Sequence, residues 1–71
     1  MKDENVKIKI SNFFNNIFDY QSEHKRMCYI DYCYRKVMLL RRILPKISDT
    51  KRIMIAIENT LSSFNLIKGN I

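Results

Sequence analysis

Among its 71 residues the chain has one glycine (Gly69), one proline (Pro45), one histidine (His24) and two cysteines (Cys28 and Cys33). Each shortage removes a class of function. One glycine leaves no Gly-rich loop to cradle a phosphate chain. Two cysteines and one histidine make neither a disulfide framework nor, from those side chains alone, a complete structural zinc site. Long apolar runs are missing too. The longest uncharged apolar run in the middle, Val37-Met38-Leu39-Leu40, is far short of the roughly 20 residues that span a bilayer. The start, Met1-Lys2-Asp3-Glu4-Asn5, lacks the apolar stretch of an export signal. With two unpaired cysteines, this sets the expectation of a reducing, cytoplasmic location.

The parts of a catalytic site are also lacking. His24 has no evident orienting partner or positioned serine, and no paired carboxylates stand out. The expectation is a non-enzyme with no cofactor and no small-molecule substrate. His24, Cys28 and Asp31 do fall at i, i+4 and i+7, and all three are zinc-ligand types. No fourth ligand accompanies them, because Cys33 lies about 140° around the helix at about 100° per residue. His24 reads better as a solvated first-turn residue and Asp31 as the i, i+4 partner of Arg35, so no metal is expected. The same angle keeps Cys28 and Cys33 from bridging each other. Cys33 reads as a small core residue.

What is present is enough apolar material, 46% of the chain, for a folded core. The length suits one domain, residues 1–71, near the size where a single core is marginally stabilising. A protein partner or a second copy is the most economical supplement. The abundance of Ile, Asn and Lys carries no functional reading, and there are no repeats, low-complexity tracts or linkers.

Helical spacing organises the whole length. Residues 4–21 place Val6, Ile10, Phe13, Phe14, Ile17 and Tyr20 on one stripe, with Asn12, Asn15, Asn16 and Asp19 opposite. Asp3 and Glu4 stand where acids favour a helix start. Val6 to Ile10 also alternates like a strand, but no second strand is available to pair with it. Ser22 caps a second helix, 23–44, which ends before Pro45. Ser48 or Asp49 caps a third, 49–67, with Met54, Ile57, Leu61 and Phe64 facing inward beside Ile53, and Gly69 stands where a C-terminal glycine belongs. The expected fold is all-α: a compact three-helix bundle, or a helical hairpin extended by the first helix.

The middle helix is apolar on two sides. Ile30, Cys33, Val37, Leu40 and Leu44 form a heptad-like seam. Almost opposite lie Tyr32, Leu39 and Ile43, with Cys28 near them. A helix apolar on two sides is either sandwiched or docks on two sides. Tyr32, Leu39 and Ile43 are therefore the candidate partner-binding residues.

Charge adds to this. Residues 25–52 hold nine of the thirteen basic side chains and only Asp31 and Asp49 as acids, a formal +7, while the rest of the chain comes to −1. Such a field attracts acidic proteins, nucleic acid or anionic lipid. Arg35 and Arg42, seven apart, share a face, and Lys46, Lys51 and Arg52 follow. These five are the candidates for contact with nucleic acid or an acidic surface. A helix-turn-helix reading over Leu44–Lys51 is weak, because the turn has no glycine and the third helix has few base-reading side chains. The leading expectation is a small regulatory or accessory protein that binds a protein partner, or a second copy, through its central helix. Its basic segment would direct it to an acidic or nucleic-acid-bound target. Direct DNA or RNA binding ranks second, and an anionic membrane surface last.

Overall fold

The computed structural model describes residues 1–66 as an all-α bundle of three helices: α1 Asp3–Ile17, α2 Glu23–Ile43 and α3 Asp49–Ser63. Among the described residues no strand forms, so the alternating Val6–Ile10 segment is helical. Each start has a local cause. Asp3 and Glu4 occupy the first turn of α1, where negative charge complements the helix dipole. The hydroxyls of Ser22 and Ser48 accept from the Lys25 and Lys51 backbone N–H groups, both at 3.2 Å, capping α2 and α3.

Helix α1 stops at Ile17, four residues short of expectation, because the chain turns to bury Phe18 rather than Ile17 and Tyr20. Ile17 is 53% exposed and Tyr20 75%. The turn is clamped from α2: the Arg26 guanidinium donates to Asn15 Oδ1 at 2.9 Å and to the Gln21 carbonyl, and the Tyr29 hydroxyl donates to Gln21 Oε1. Phe18 then stacks with Phe14 at 5.9 Å between centroids and meets Tyr29 edge-on at 5.8 Å.

Helix α3 also ends early. Asn65 takes a left-handed conformation, φ 56°, which asparagine tolerates better than most residues. The Asn65 N–H donates to the Ser62 carbonyl (3.1 Å) and the Leu66 N–H to the Leu61 carbonyl (2.8 Å). That is the paired pattern of a Schellman cap. The stop therefore belongs to Asn65; Gly69 lies outside the described residues.

The core runs from Val6, Ile10 and Phe14 on α1 through Tyr29, Ile30, Cys33, Val37 and Leu40 on α2 to Ile53 and Ala56 on α3. Four of the five expected seam residues of α2 are buried, and Leu44 at its end is exposed. On α3 the expected phase is rotated. Ala56 and Thr60 face inward, Ile57 and Leu61 are half-buried at the rim, and Met54 is 60% exposed. Small side chains occupy this contact. The Thr60 hydroxyl is satisfied by donating to the Ala56 carbonyl at 2.7 Å.

α2 runs antiparallel to both neighbours. Its start meets the end of α1 through Arg26 and Asn15, and its end meets the start of α1 through Arg41 and Asp3. Against α3, the Tyr32 and Ser63 hydroxyls lie 2.9 Å apart at one end. At the other, Arg52 donates to the Leu44 and Pro45 carbonyls at 3.1 and 2.9 Å.

Candidate functional site

At about 100° per residue, Lys25, Tyr32, Lys36, Leu39 and Ile43 fall within about 60° of one another on α2. This stripe runs beside α3 and ends on the outer surface. Tyr32 forms its inner border: it is half-buried, bonded to Ser63 and edge-on to Phe64 at 5.4 Å. The Lys36 ammonium sits over the Tyr32 ring at 5.6 Å, a cation–π contact. Leu39 and Ile43 continue the stripe outward and are 45% and 60% exposed. Tyr32, Arg35, Lys36 and Leu39 line a shallow depression of about 280 Å³. Lys36 was not among the expected site residues; its spacing of four from Tyr32 was the signal that places it here.

The basic residues divide into two groups. Arg35 is exposed and pairs with Asp31 at 3.1 Å. Arg42, Lys46 and Lys51 are exposed at the end of α2, in the turn and at the start of α3. Among the described residues, Lys25, Lys36, Arg42, Lys46 and Lys51 make no ion pair. Arg52 is different. It is 7% exposed, and besides the two loop carbonyls it donates to Asp49 Oδ1 at 2.6 Å. With its guanidinium enclosed by these acceptors, Arg52 holds the α2–α3 turn and does not share the exposed face with Lys51. Its position one residue from a surface lysine gave no warning of this.

Arg41, also counted in the basic segment, is spent internally as well. Its Nε and Nη2 donate to Asp49 Oδ1 and Oδ2 at 3.1 and 2.8 Å, and its Nη1 meets Asp3. Asp49 thus accepts from two guanidinium groups and lies 3.4 Å from the Met1 ammonium. These partners, Arg41 foremost, hold its carboxyl far below the usual carboxylate range and raise the Arg41 guanidinium. The cluster joins the starts of α1 and α3 to the end of α2.

His24 and Cys28 are exposed, and among the described residues no group of three or more His, Cys, Asp or Glu side chains is placed to hold a metal ion. Cys33 is fully buried; burial pushes its thiol up to about 11, with a smaller opposing effect from a hydrogen bond with Thr60. That is the state of an inert core thiol. A second, larger cleft of about 560 Å³ lies along the α1–α2 edge, lined among others by Lys7, Asn15, Arg26, Met27 and Asp31. Its charges are mixed, and Arg26 is already engaged with Asn15 and the α1–α2 turn. No described helix is long and apolar enough to cross a membrane.

No protein-family model, curated protein or solved structure matches the chain, so the functional reading rests on this geometry.

Proposed function

We propose that the protein is a small non-catalytic regulatory or accessory subunit that binds another protein through the outer face of α2. The observation that carries this reading is the pairing of exposed Leu39 and Ile43 with a half-buried Tyr32. They form an apolar stripe about 120° around α2, at about 100° per residue, from the side that already supplies the core. Aromatic and large aliphatic side chains gathered this way are the usual anchors of an interface. The surrounding cations raise the rate of encounter with an acidic surface. Self-association through this stripe is less favoured, because a second copy brings the same uncompensated charge.

The test is capture from host extract by the intact chain and by Leu39→Arg, with light scattering on both. A partner retained by the first and lost by the second, with equal helical content, supports the reading. A partner held equally by both variants overturns it.

Direct nucleic-acid binding is the second reading, and the exposed Arg35, Arg42, Lys46 and Lys51 favour it. Four phosphate contacts give a log–log salt slope near about −3.6 on duplex DNA, at about −0.9 per contact. Binding with that slope, lost on reversing Arg35 and Arg42, would promote this reading over the first.

A further inference from the structure

We infer that the occupant of the α2 face is an acidic amphipathic helix of another protein, packed along Tyr32–Ile43 as a fourth helix of the bundle. The inference rests on the docking face proposed above and adds the chemistry of what fills it.

Charge argues against one occupant, exposed apolar surface against another, and the two together favour a third. Lys25 and Lys36 lie on the stripe itself, Arg42 is exposed on the same helix, and Lys46 and Lys51 stand beyond the end of α2. None has an acid partner among the described residues. The acid beside them, Asp31, is tied to Arg35 at 3.1 Å. A second copy would set like charges against each other. A nucleic acid would neutralise the cations but leave Leu39 and Ile43, 45% and 60% exposed, in water. A surface with Asp or Glu flanking an apolar ridge satisfies both at once.

Backbone chemistry then selects a helix. The docking face lies within α2, whose N–H and C=O groups are bonded along Glu23–Ile43, so it offers no strand edge to pair with an extended peptide. A segment buried there must satisfy its own backbone internally, which an α-helix does. Two helices pack by fitting side-chain ridges into grooves, and the depression between Tyr32, Arg35, Lys36 and Leu39 is such a groove. From Tyr32 to Ile43 the stripe is about 17 Å long at 1.5 Å per residue, which matches about three turns of partner helix. Apolar residues at i, i+4, i+7 and i+11, with carboxylates beside them, are what this face reads.

The experiment uses the intact chain and three fluorescent synthetic peptides read by anisotropy at physiological salt. One is an amphipathic helix with leucines at that spacing and glutamates on its flanks; one has the same composition scrambled; one has lysine in place of glutamate. A fluorescent DNA duplex is the fourth probe. The acidic amphipathic peptide should bind at least about tenfold more tightly than the other two peptides, a difference of about 1.4 kcal/mol. Leu39→Glu and Ile43→Glu should each remove about tenfold, and Lys36→Glu with Lys51→Glu should weaken binding and flatten its salt dependence. Unchanged circular dichroism keeps each variant informative, since all four side chains lie outside the buried core. Equal binding of the scrambled peptide overturns the helical occupant. DNA binding that exceeds peptide binding and ignores Leu39→Glu overturns the inference and the docking face together. Failure of every peptide, while capture from extract still depends on Leu39, overturns the acidic helix and leaves the face standing.

Discussion

Arg41 and Asp49 form a two-bonded fork, Nε to Oδ1 at 3.1 Å and Nη2 to Oδ2 at 2.8 Å, that locks the end of α2 to the start of α3. Arg52 completes it from within α3 through a second bond to Oδ1 at 2.6 Å. Asp49→Asn leaves two guanidinium groups facing a neutral amide, and its cost should be on the order of 3 kcal/mol, as for other broken buried pairs. The pH dependence follows from the direction of the Asp49 shift. The carboxyl is held far below its usual value in the fold, while the unfolded chain titrates near about 3.9. Its stabilisation is therefore fully present above that value and is lost as the pH falls below it. Urea titrations between pH 6 and pH 2 should show a steep acid loss in the native chain and a shallower one in Asp49→Asn. Parallel curves would show that other carboxyls govern acid unfolding.

The two cysteines should separate cleanly. Cys28 is exposed and Cys33 is buried, so a thiol reagent should modify one group per chain at once and the second only with unfolding. Cys33 also predicts alkaline sensitivity. Its thiol stays protonated up to about 11 in the fold but ionises near about 8.5 when unfolded. Stability is fully present below the lower value and is lost as pH rises towards the upper one, by up to about 3 kcal/mol at 1.36 kcal/mol per unit. Cys33→Ala, whatever its cost in packing, should have a flatter profile between pH 8.5 and 11, as measured by urea midpoints.

Helix phase gives a third expectation. Val37→Ala and Leu40→Ala should each cost about 2–4 kcal/mol, the range for truncating large buried side chains, a large fraction of the total for a domain of this size. Met54→Ala should change stability by less than about 0.5 kcal/mol, as exposed substitutions usually do. A large loss at Met54 would return α3 to the phase read from its large apolar residues.

That contrast marks what was legible in the amino-acid pattern. The α2 seam was readable because Ile30, Cys33, Val37 and Leu40 repeat at helical spacing without a competing choice on that side. The inward face of α3 was not, because Ala56 and Thr60 carry little apolar weight while Met54, Ile57, Leu61 and Phe64 carry much. Pattern reading favours large side chains; packing here puts two small ones inward. The end of α1 failed for a related reason. Ile17 and Phe18 are both apolar, and the inward turn of Phe18 goes with the Arg26 and Tyr29 clamp and with its packing on Phe14 and Tyr29, none of which shows in local spacing. Apolar Leu39 and Ile43 were visible as a second side of α2, and their exposure followed from the positions of α1 and α3.

Lys51 and Arg52 give the sharpest separation of binding from folding, since these neighbouring cations have opposite surroundings. Lys51 is exposed and makes no ion pair among the described residues, whereas Arg52 is enclosed by Asp49 and the carbonyls of Leu44 and Pro45. Lys51→Glu should leave the melting temperature nearly unchanged while weakening capture of an acidic partner. Arg52→Ala should do the reverse to first order: it removes the donor to two part-buried loop carbonyls and half of the Asp49 pairing, at a total cost on the order of 1–3 kcal/mol. Arg52→Lys should recover only part of that loss, because a single ammonium cannot reproduce the fork that reaches three acceptors. Thermal melts of the three variants beside partner capture distinguish the roles. A native-like melt for Arg52→Ala would show that the turn is held by other contacts and return Arg52 to the binding face.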